Sequence, residues 1–185
     1  MKNICIGLFE GETLPESLAA FKDVKLDLEF GKITTIYTLN QLDCEKIVVV
    51  GLDDGKKNIK EAFSKVEADD YFVYVNENTA YAAGFGLVYG AYSYKETKVY
   101  DFESDGFTAE FEKGKTVALI VNHAREMSDM PANFLTPDHL VDEAKMVSEK
   151  YGMEMEVLDH DDLDQLGAGA LLAVNQGSDR PCYMV

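Results

Sequence analysis

A continuous apolar run is the feature that most constrains the fold. Ile47, Val48, Val49 and Val50 follow one another without a polar residue, and the run ends at Gly51. A strand with one solvent-facing side alternates apolar and polar side chains, whereas a strand covered on both faces reads as an unbroken apolar stretch. The run therefore predicts a strand in the middle of an α/β sheet.

Other segments carry weaker strand and helix signals. Residues 3–9, 32–39, 71–75 and 107–111 are predicted to be strands, and residues 101–105 a turn. Helices are predicted to start at Pro15 and to cover residues 59–68 and 80–94. In the last of these, Ala82, Gly86 and Gly90 share one stripe, which would let the helix backbone lie close against a sheet.

Residues 115–127 support two predictions. Thr116 to Val121 has the composition of a strand, whereas an apolar set at helical spacing favours a helix. That set is Val117, Ile120, Val121, Ala124 and Met127. The residues alone leave both possibilities open.

Two prolines, Pro131 and Pro137, bracket a rigid corner, because each fixes its own φ and keeps the preceding residue out of the α region. Thr136 as cap, Pro137 at the first helical position and Asp138 in the first turn predict a helix start. Its apolar stripe is Leu140, Val141, Ala144, Val147 and Tyr151, and it is predicted to end at Lys150 and Gly152.

The remaining residues are predicted to alternate strand and helix. Residues 153–157 and 170–174 are expected to be strands, and a further strand is expected to start at Cys182. Between them lies an acidic group that resembles a metal cluster: Asp159, His160, Asp161, Asp162 and Asp164. A helix N-terminus capped by Asp159 is favoured, because the helix dipole attracts acids there and so many adjacent groups cannot converge on one ion.

Three motifs carry a resemblance to a known family. They are the Pro131-Ala132-Asn133 and Thr136-Pro137 corner, the run from Leu166 to Val174 with Gly167 and Gly169, and Gln176-Gly177-Ser178. This arrangement resembles the leucyl (cytosol-type) metallo-aminopeptidases, closely over residues 118–185 and only in layout over residues 1–94. Asp129 is not the residue that the family more often has at this position, but the position varies among its members. The resemblance implies a helix over residues 115–127.

The resemblance also implies a domain organisation. Residues 1–112 are expected to form a three-layer α/β domain of macro-domain-like type, residues 113–130 a connecting helix, and residues 131–185 the start of an incomplete catalytic domain. The family's metal ligands and its catalytic Lys and Arg would all follow residue 185. No catalytic, cofactor-binding or metal-binding residue is therefore assigned within this chain.

The implied activity is removal of N-terminal residues from peptides by a hexameric enzyme with two divalent metals (zinc, manganese or magnesium). This chain alone is predicted to be inactive, to serve assembly, and to form a homo-oligomer of lower order. One alternative is a macro-like binding module for an ADP-ribose-type ligand. Another is a short regulatory protein that forms mixed oligomers with a full-length enzyme.

Five further candidate sites favour structural roles. Gly84 to Gly90 imitates a dinucleotide loop but lies in a helical pattern, and Gly51 to Gly55 has the acids of a calcium loop followed by Lys56 and Lys57. His123, His139 and His160 have no neighbouring nucleophile, with His123 expected on a polar face or interface. Ser178-Asp179-Arg180 is expected to be a loop. Arg125, with Asn133, is expected to orient the corner by hydrogen bonds.

Charge and cysteine content exclude several classes. A net charge of −17 argues against a nucleic-acid partner, because phosphate binding rests on cationic contacts. Cys5, Cys44 and Cys182 are odd in number and far apart, so neither a disulfide framework nor a metal motif is expected. The apolar run of residues 4–9 is too short for a signal peptide or a membrane span, which predicts a cytoplasmic location.

Overall fold

The computed structural model describes residues 2–94 and 98–185, and the chain divides into two compact units, Met1–Glu126 and Met127–Val185. The first unit contains a sheet of order β2-β3-β1-β4-β5. Its strands are β1 (Asn3–Leu8), β2 (Ile33–Tyr37), β3 (Lys46–Gly51), β4 (Tyr71–Tyr74) and β5 (Phe102–Ser104). Strand β2 is antiparallel to β3, and the other neighbouring pairs are parallel. The predicted α/β class is confirmed, while the predicted domain limits stay a prediction.

The helices follow the strands in chain order. A 3-10 helix covers Glu16–Phe21. The α-helices are α1 (Ile59–Phe63), α2 (Ala80–Gly90), α3 (Thr108–Asp129), α4 (Pro137–Tyr151), α5 (His160–Gln165) and α6 (Gly169–Asn175). None of the helices in the described ranges has the length and apolar character needed to cross a bilayer.

Strand β3 is buried on both faces, as its apolar run predicts. Val48 and Val50 contribute to one core with the helices α1 and α2, whereas Ile47 and Val49 contribute to a second core that includes Leu18 of the 3-10 helix. Successive side chains of a strand point to opposite faces, so an unbroken apolar run supplies both cores at once. Each fully buried side chain of this size stabilises the fold by about 1.5–3 kcal/mol.

The glycine stripe of α2 has a packing role, but its neighbours are helices. A Cβ atom at Gly86 would lie 2.5 Å from the Lys60 carbonyl oxygen, and one at Gly90 would lie 2.3 Å from that of Ser64. Both carbonyls belong to α1 or its C-cap. The prediction that the stripe lies against a sheet is wrong for these two glycines, because their nearest neighbours belong to α1 and its C-cap.

Two neighbouring predictions near residue 105 are wrong. Residues 102–104 form β5, and residues 108–111 open α3. Strand β5 pairs in parallel with β4, and Phe102 is buried in the core beside Tyr71. Its acidic neighbours are neutralised, because Lys2 Nζ lies 2.7 Å from an Asp101 carboxylate oxygen and 2.5 Å from one of Glu103. Tertiary pairing thus overrides the low strand propensity of this polar segment.

The ambiguous segment 115–127 is helical throughout, as the family resemblance implies. Helix α3 runs from Thr108 to Asp129 and buries Phe111, Gly114 and Ala118 at successive spacings of three and four residues. A Cβ atom at Gly114 would lie 2.2 Å from the Tyr81 carbonyl oxygen, so α3 and α2 approach closely there. The buried residues lie in the first half of the helix, and Ala118 is the one buried member of the strand-like stretch 116–121.

In the second unit, α4 starts and ends as predicted. Thr136 and His139 form a capping box, Pro137 occupies the first turn, and Gly152 closes the helix with a φ of +64°. Of the predicted apolar stripe, Val141 is buried, whereas 48% of Leu140 and 66% of Tyr151 remain exposed.

The strands predicted in the second unit are largely wrong. Residues 170–174 lie inside α6, and residues 153–157 form no regular element. Leu158 and Met184 form one antiparallel bridge, with N–H···O distances of 2.8 and 3.0 Å, at the place where a strand was expected to start. A strand needs a neighbouring strand to satisfy its backbone groups, and within the described part of this unit only the bridge supplies one.

Candidate functional site

A crevice opens at the carboxyl ends of β1 and β4. Strand β1 lies between two parallel neighbours, β3 and β4, which is where ligands of open α/β sheets bind. The cavity there has a volume of about 490 Å³. Its lining is Ile6, Gly7, Leu8, Gly11, Glu12, Thr13, Pro15, Tyr74, Val75, Asn76, Thr79 and Asp105.

The polar side chains that line the crevice accept hydrogen bonds from the backbone of the loops around it. Asn76 Oδ1 accepts hydrogen bonds from the backbone N–H groups of Asn78 (2.9 Å) and Thr79 (3.1 Å), and Thr79 Oγ1 accepts one from Asn76 N (3.0 Å). Asp105 Oδ1 accepts from Val75 N at 2.9 Å, and a Glu12 carboxylate oxygen accepts from Phe9 N at 2.8 Å. These side chains therefore fix the turns that follow β1 and β4.

The charge of the crevice opposes phosphate binding. Two carboxylates, Glu12 and Asp105, belong to its lining, and none of the described residues that line it is Lys or Arg. A diphosphate would meet negative charge without a cationic partner, which is unfavourable. The crevice does not favour the ADP-ribose alternative.

The acidic group at the start of α5 is a helix cap, as predicted. Asp159 Oδ1 accepts hydrogen bonds from Asp161 N (2.9 Å) and Asp162 N (3.2 Å), and Asp162 Oδ2 accepts from Asp159 N at 3.2 Å. These bonds form a capping box. The carboxylates thereby satisfy N–H groups that the first helical turn leaves unpaired.

No metal centre can be built from the described side chains. Across residues 2–94 and 98–185, no three His, Cys, Asp or Glu side chains are grouped so that they could hold an ion. The three cysteines are free and buried, and burial raises the pKa of the Cys5 thiol. A thiol kept protonated in this way is a poor nucleophile and a poor ligand.

The three histidines occupy different elements. His123 is exposed on α3, and His160 is exposed at the start of α5, 3.5 Å from an Asp161 carboxylate oxygen. His139 Nδ1 lies 3.1 Å from Thr136 Oγ1 and 3.4 Å from Thr136 N in the capping box of α4. The role of His139 was missed from the sequence, since the third helical position of such a box is usually Glu or Gln. The Thr136-Pro137 start was the signal that could have located it.

Arg125 packs against α2. It was predicted to orient the proline corner by hydrogen bonds, but the hydrogen bonds it makes here go to α2 and to a neighbour on α3. Its Nη1 donates to the carbonyl oxygen of Tyr89 and to Asn122 Oδ1, both at 2.9 Å. The guanidinium lies 4.2 Å from the ring centre of Tyr89 and 4.3 Å from that of Tyr92. Asn133, its predicted companion, is exposed.

Two α3 side chains therefore close the C-terminal end of α2. Asn122 Nδ2 donates to the carbonyl oxygen of Val88 at 2.9 Å, next to the Tyr89 carbonyl bound by Arg125. The last four carbonyl groups of a helix lack intrahelical partners, and a cation there also meets the negative end of the helix dipole. This arrangement is structural, as was predicted for Arg125.

The other candidate motifs form turns and loops, as predicted. Asp53 and Gly55 have positive φ values of 55° and 75° in the turn after β3. Ser178 Oγ accepts a hydrogen bond from Arg180 N at 3.0 Å in an exposed loop. Neither arrangement brings a base next to a nucleophile.

Comparison with known proteins finds a family match over residues 122–185 and relatives that align with part of the chain. Residues 122–185 match the family described as cytosol aminopeptidase family, catalytic domain. A probable cytosol aminopeptidase from Exiguobacterium sibiricum is 41% identical over 111 residues, which are 56% of this chain and 23% of that protein. A second one, from Aromatoleum aromaticum, is 38% identical over 73 residues, or 40% of this chain and 15% of that protein.

Among solved structures, the bottromycin maturation enzyme BotP has the same fold. It superposes with a TM-score of 0.74 at 19% identity and covers 97% of this chain and 44% of BotP. Its complex with Mn gives a TM-score of 0.75 at 19% identity, with 97% and 43% covered. The matches to this chain span less than half the length of each of these proteins.

Proposed function

We propose that this chain, which is similar to the cytosol aminopeptidase family, forms the non-catalytic front part of a metal-dependent aminopeptidase. The observation that carries the proposal is the match of residues 122–185 to the family's catalytic domain. The peptidase would remove N-terminal residues such as leucine from peptides. Two divalent ions, of zinc, manganese or magnesium, would activate its water molecule.

The described residues do not fit such a two-metal centre. A pair of catalytic metals needs several carboxylate ligands that converge on one place. The densest acidic group, at Asp159, Asp161 and Asp162, instead binds the backbone of its own helix. We therefore assign no catalytic, metal-binding or cofactor-binding residue to this chain and derive no chemical step from it.

The role proposed for this chain is assembly and support. Its first unit buries two cores around one sheet, which makes a stable body for contacts between subunits. The complete enzyme would be a hexamer in the cytoplasm, and this chain alone would form a smaller homo-oligomer. The domain limits proposed are residues 1–112, 113–130 and 131–185, with a macro-domain-like first domain.

Hydrolysis of a leucine anilide in the presence of Mn²⁺ tests the proposal. We expect the purified 185-residue chain to give no release above the buffer rate, because no described side chains group as metal ligands. Turnover that follows the chain through purification would overturn it. A variant carrying Asp159→Asn, Asp161→Asn and Asp162→Asn separates the possible sources of any turnover. Activity that depends on the acidic cap of this chain would be lost in the variant, whereas activity from another source would remain.

A further inference from the structure

The two edges of the sheet differ in how they are protected. Strand β5 is three residues long, and charged side chains surround it, with Glu103 in its middle and Asp101 and Lys2 beside it. Short length and charge are the usual means by which an edge strand is kept from pairing with other strands. This edge is therefore closed to further strands.

The other edge, strand β2, lacks that protection. It has five residues, Ile33–Tyr37, without a proline or a charge. Residues 31–42 contain a single charged side chain, Lys32, in a chain of net charge −17. Exposed apolar side chains accompany the strand, with 37% of Ile33 and 63% of Tyr37 accessible. A flat, uncharged and partly apolar edge recruits another strand.

The register identifies which backbone groups face outward. The carbonyl oxygen of Lys32 accepts a hydrogen bond from Gly51 N (2.9 Å), and Thr38 N donates to Glu45 O (3.0 Å), so the even-numbered residues face β3. Facing direction alternates along an antiparallel strand. The N–H and C=O groups of Ile33, Thr35 and Tyr37 therefore point away from the sheet. No loop or turn in the described ranges supplies a backbone partner for them.

From this edge we infer that β2 pairs with β2 of a second copy of this chain, antiparallel, about a two-fold axis at Thr35. Thr35 then lies opposite Thr35 of the other copy, and Ile33 lies opposite Tyr37. Each of these is a hydrogen-bonded pair that exchanges two N–H···O bonds. The sheets of the two copies become one continuous sheet.

The side chains favour this self-pairing. Threonine opposite threonine, and an aromatic ring opposite a β-branched side chain, are among the cross-strand pairs that stabilise antiparallel sheets. The outward-facing residues Ile33, Thr35 and Tyr37 supply these pairs when the strand meets itself. Because the pattern is symmetric about Thr35, the same patch serves both copies, as a two-fold interface requires.

Charge complementarity also favours a second copy. The exposed Lys32 makes no ion pair among the described residues. In the antiparallel arrangement, Lys32 comes opposite Thr38 of the other copy. In that copy the backbone of Thr38 is bonded to Glu45, which lies next to it just before β3. Each copy thus brings its cation toward an acidic group of the other.

The dimer is expected to be concentration-dependent. A contact made mainly by one strand is smaller than the about 1,600 Å² of a standard interface, so its affinity is modest. This inference deepens the assembly role proposed above, on which its biological purpose rests, by naming the surface. Its readout is independent of peptide hydrolysis, so the dimer and the absence of hydrolysis can fail separately.

Sedimentation velocity over a concentration series tests the inference. We expect the unmodified chain to pass from monomer to dimer. Thr35→Lys should raise the dimer dissociation constant by at least about tenfold, because it places like charges directly opposite each other. Thr116→Lys is the matched control, since it adds the same charge at an exposed position of α3 and should leave the dimer intact.

A charge-swapped mixture separates loss of contact from loss of folding. Thr35→Lys and Thr35→Glu should each be monomeric alone, and an equal mixture should form a heterodimer through opposite charges at the two-fold axis. A monomeric unmodified chain, a dimer that survives Thr35→Lys, or a mixture that stays monomeric would each overturn the inference.

Hydrogen exchange gives a test without any substitution. The N–H groups of Ile33, Thr35 and Tyr37 should gain protection as the concentration of the unmodified chain rises, while those of Thr34 and Ile36, already bonded to β3, should not change. Equal exchange of the outward-facing groups at all concentrations would contradict the pairing. Dimerisation without their protection would mean that another surface makes the dimer.

Discussion

Single residues at the ends of elements decide much of this structure. Asn3 is an example, since its side-chain oxygen accepts from Glu45 N and Lys46 N at 3.1 and 3.0 Å while its Nδ2 donates to Asp69 at 2.9 Å. Lys46 Nζ lies 3.0 Å from the same Asp69 carboxylate. One buried amide thus joins the starts of β1 and β3 to the turn before β4.

This network makes the first unit sensitive to acid. Burial would raise the pKa of Asp69, but the hydrogen bonds from Lys46, Asp70 N and Asn3 outweigh it and hold that pKa below its ordinary value. A carboxyl group with a depressed pKa in the folded state contributes stability above the unfolded pKa of about 4 and loses it as pH falls through the folded pKa.

We therefore predict that Asp69→Asn weakens the pH dependence of stability. At neutral pH the substitution should cost about 1 kcal/mol, a modest value because the carboxylate is partly solvated. Below the folded pKa the cost should shrink. Urea unfolding of both proteins at neutral and acidic pH measures this. Asp164→Asn, at an exposed carboxylate, serves as the control. Parallel stability curves for the Asp69 variant and the unmodified chain would contradict the prediction.

At the scale of elements, local signals were sufficient where the chain itself supplies the partners. The start of α4 was predictable because Thr136 and Pro137 act on adjacent backbone, and β3 because its apolar run serves both cores. Strand β5 was not predictable, since its stability comes from pairing with β4, about thirty positions earlier in the chain. Residues 170–174 have no partner strand in the described structure, and they form a helix despite their strand-like composition.

The candidate sites follow the same division. The cap at Asp159 could be predicted from its own helix, because its partners are the next three residues. The partners of Arg125 could not, since Tyr89 and Tyr92 reach it only when α2 and α3 pack together. The crevice beyond β1 and β4 likewise appears only once distant strands are placed side by side.

The contact between α1 and α2 gives a prediction at this scale. Gly86→Ala should destabilise the chain by about 1–3 kcal/mol, although alanine favours a helix, because the added methyl group meets the Lys60 carbonyl. Thermal unfolding measures the loss.

The matched control is Gly106→Ala, where no atom lies within 4 Å of the added carbon. This variant should unfold within about 0.5 kcal/mol of the unmodified chain. A Gly86→Ala variant as stable as the Gly106→Ala variant would mean that the close approach of α1 and α2 is not required.

For the whole molecule, the central proposal is that the chain resembles a peptidase family yet serves as a support. The similarity rests on residues 122–185 and on the curated relatives, whereas no three metal-ligating side chains are grouped among the described residues. The net charge of −17 allows weak, diffuse attraction of cations over the surface. Such attraction differs from a coordinated site in both stoichiometry and salt dependence.

Calorimetric titration of the 185-residue chain with Mn²⁺ and with Zn²⁺, at low and at high salt, tests this claim most directly. The account predicts weak heats without a defined stoichiometry, which fade as salt screens the acidic surface. Saturable binding of two ions per chain that persists at high salt would contradict it.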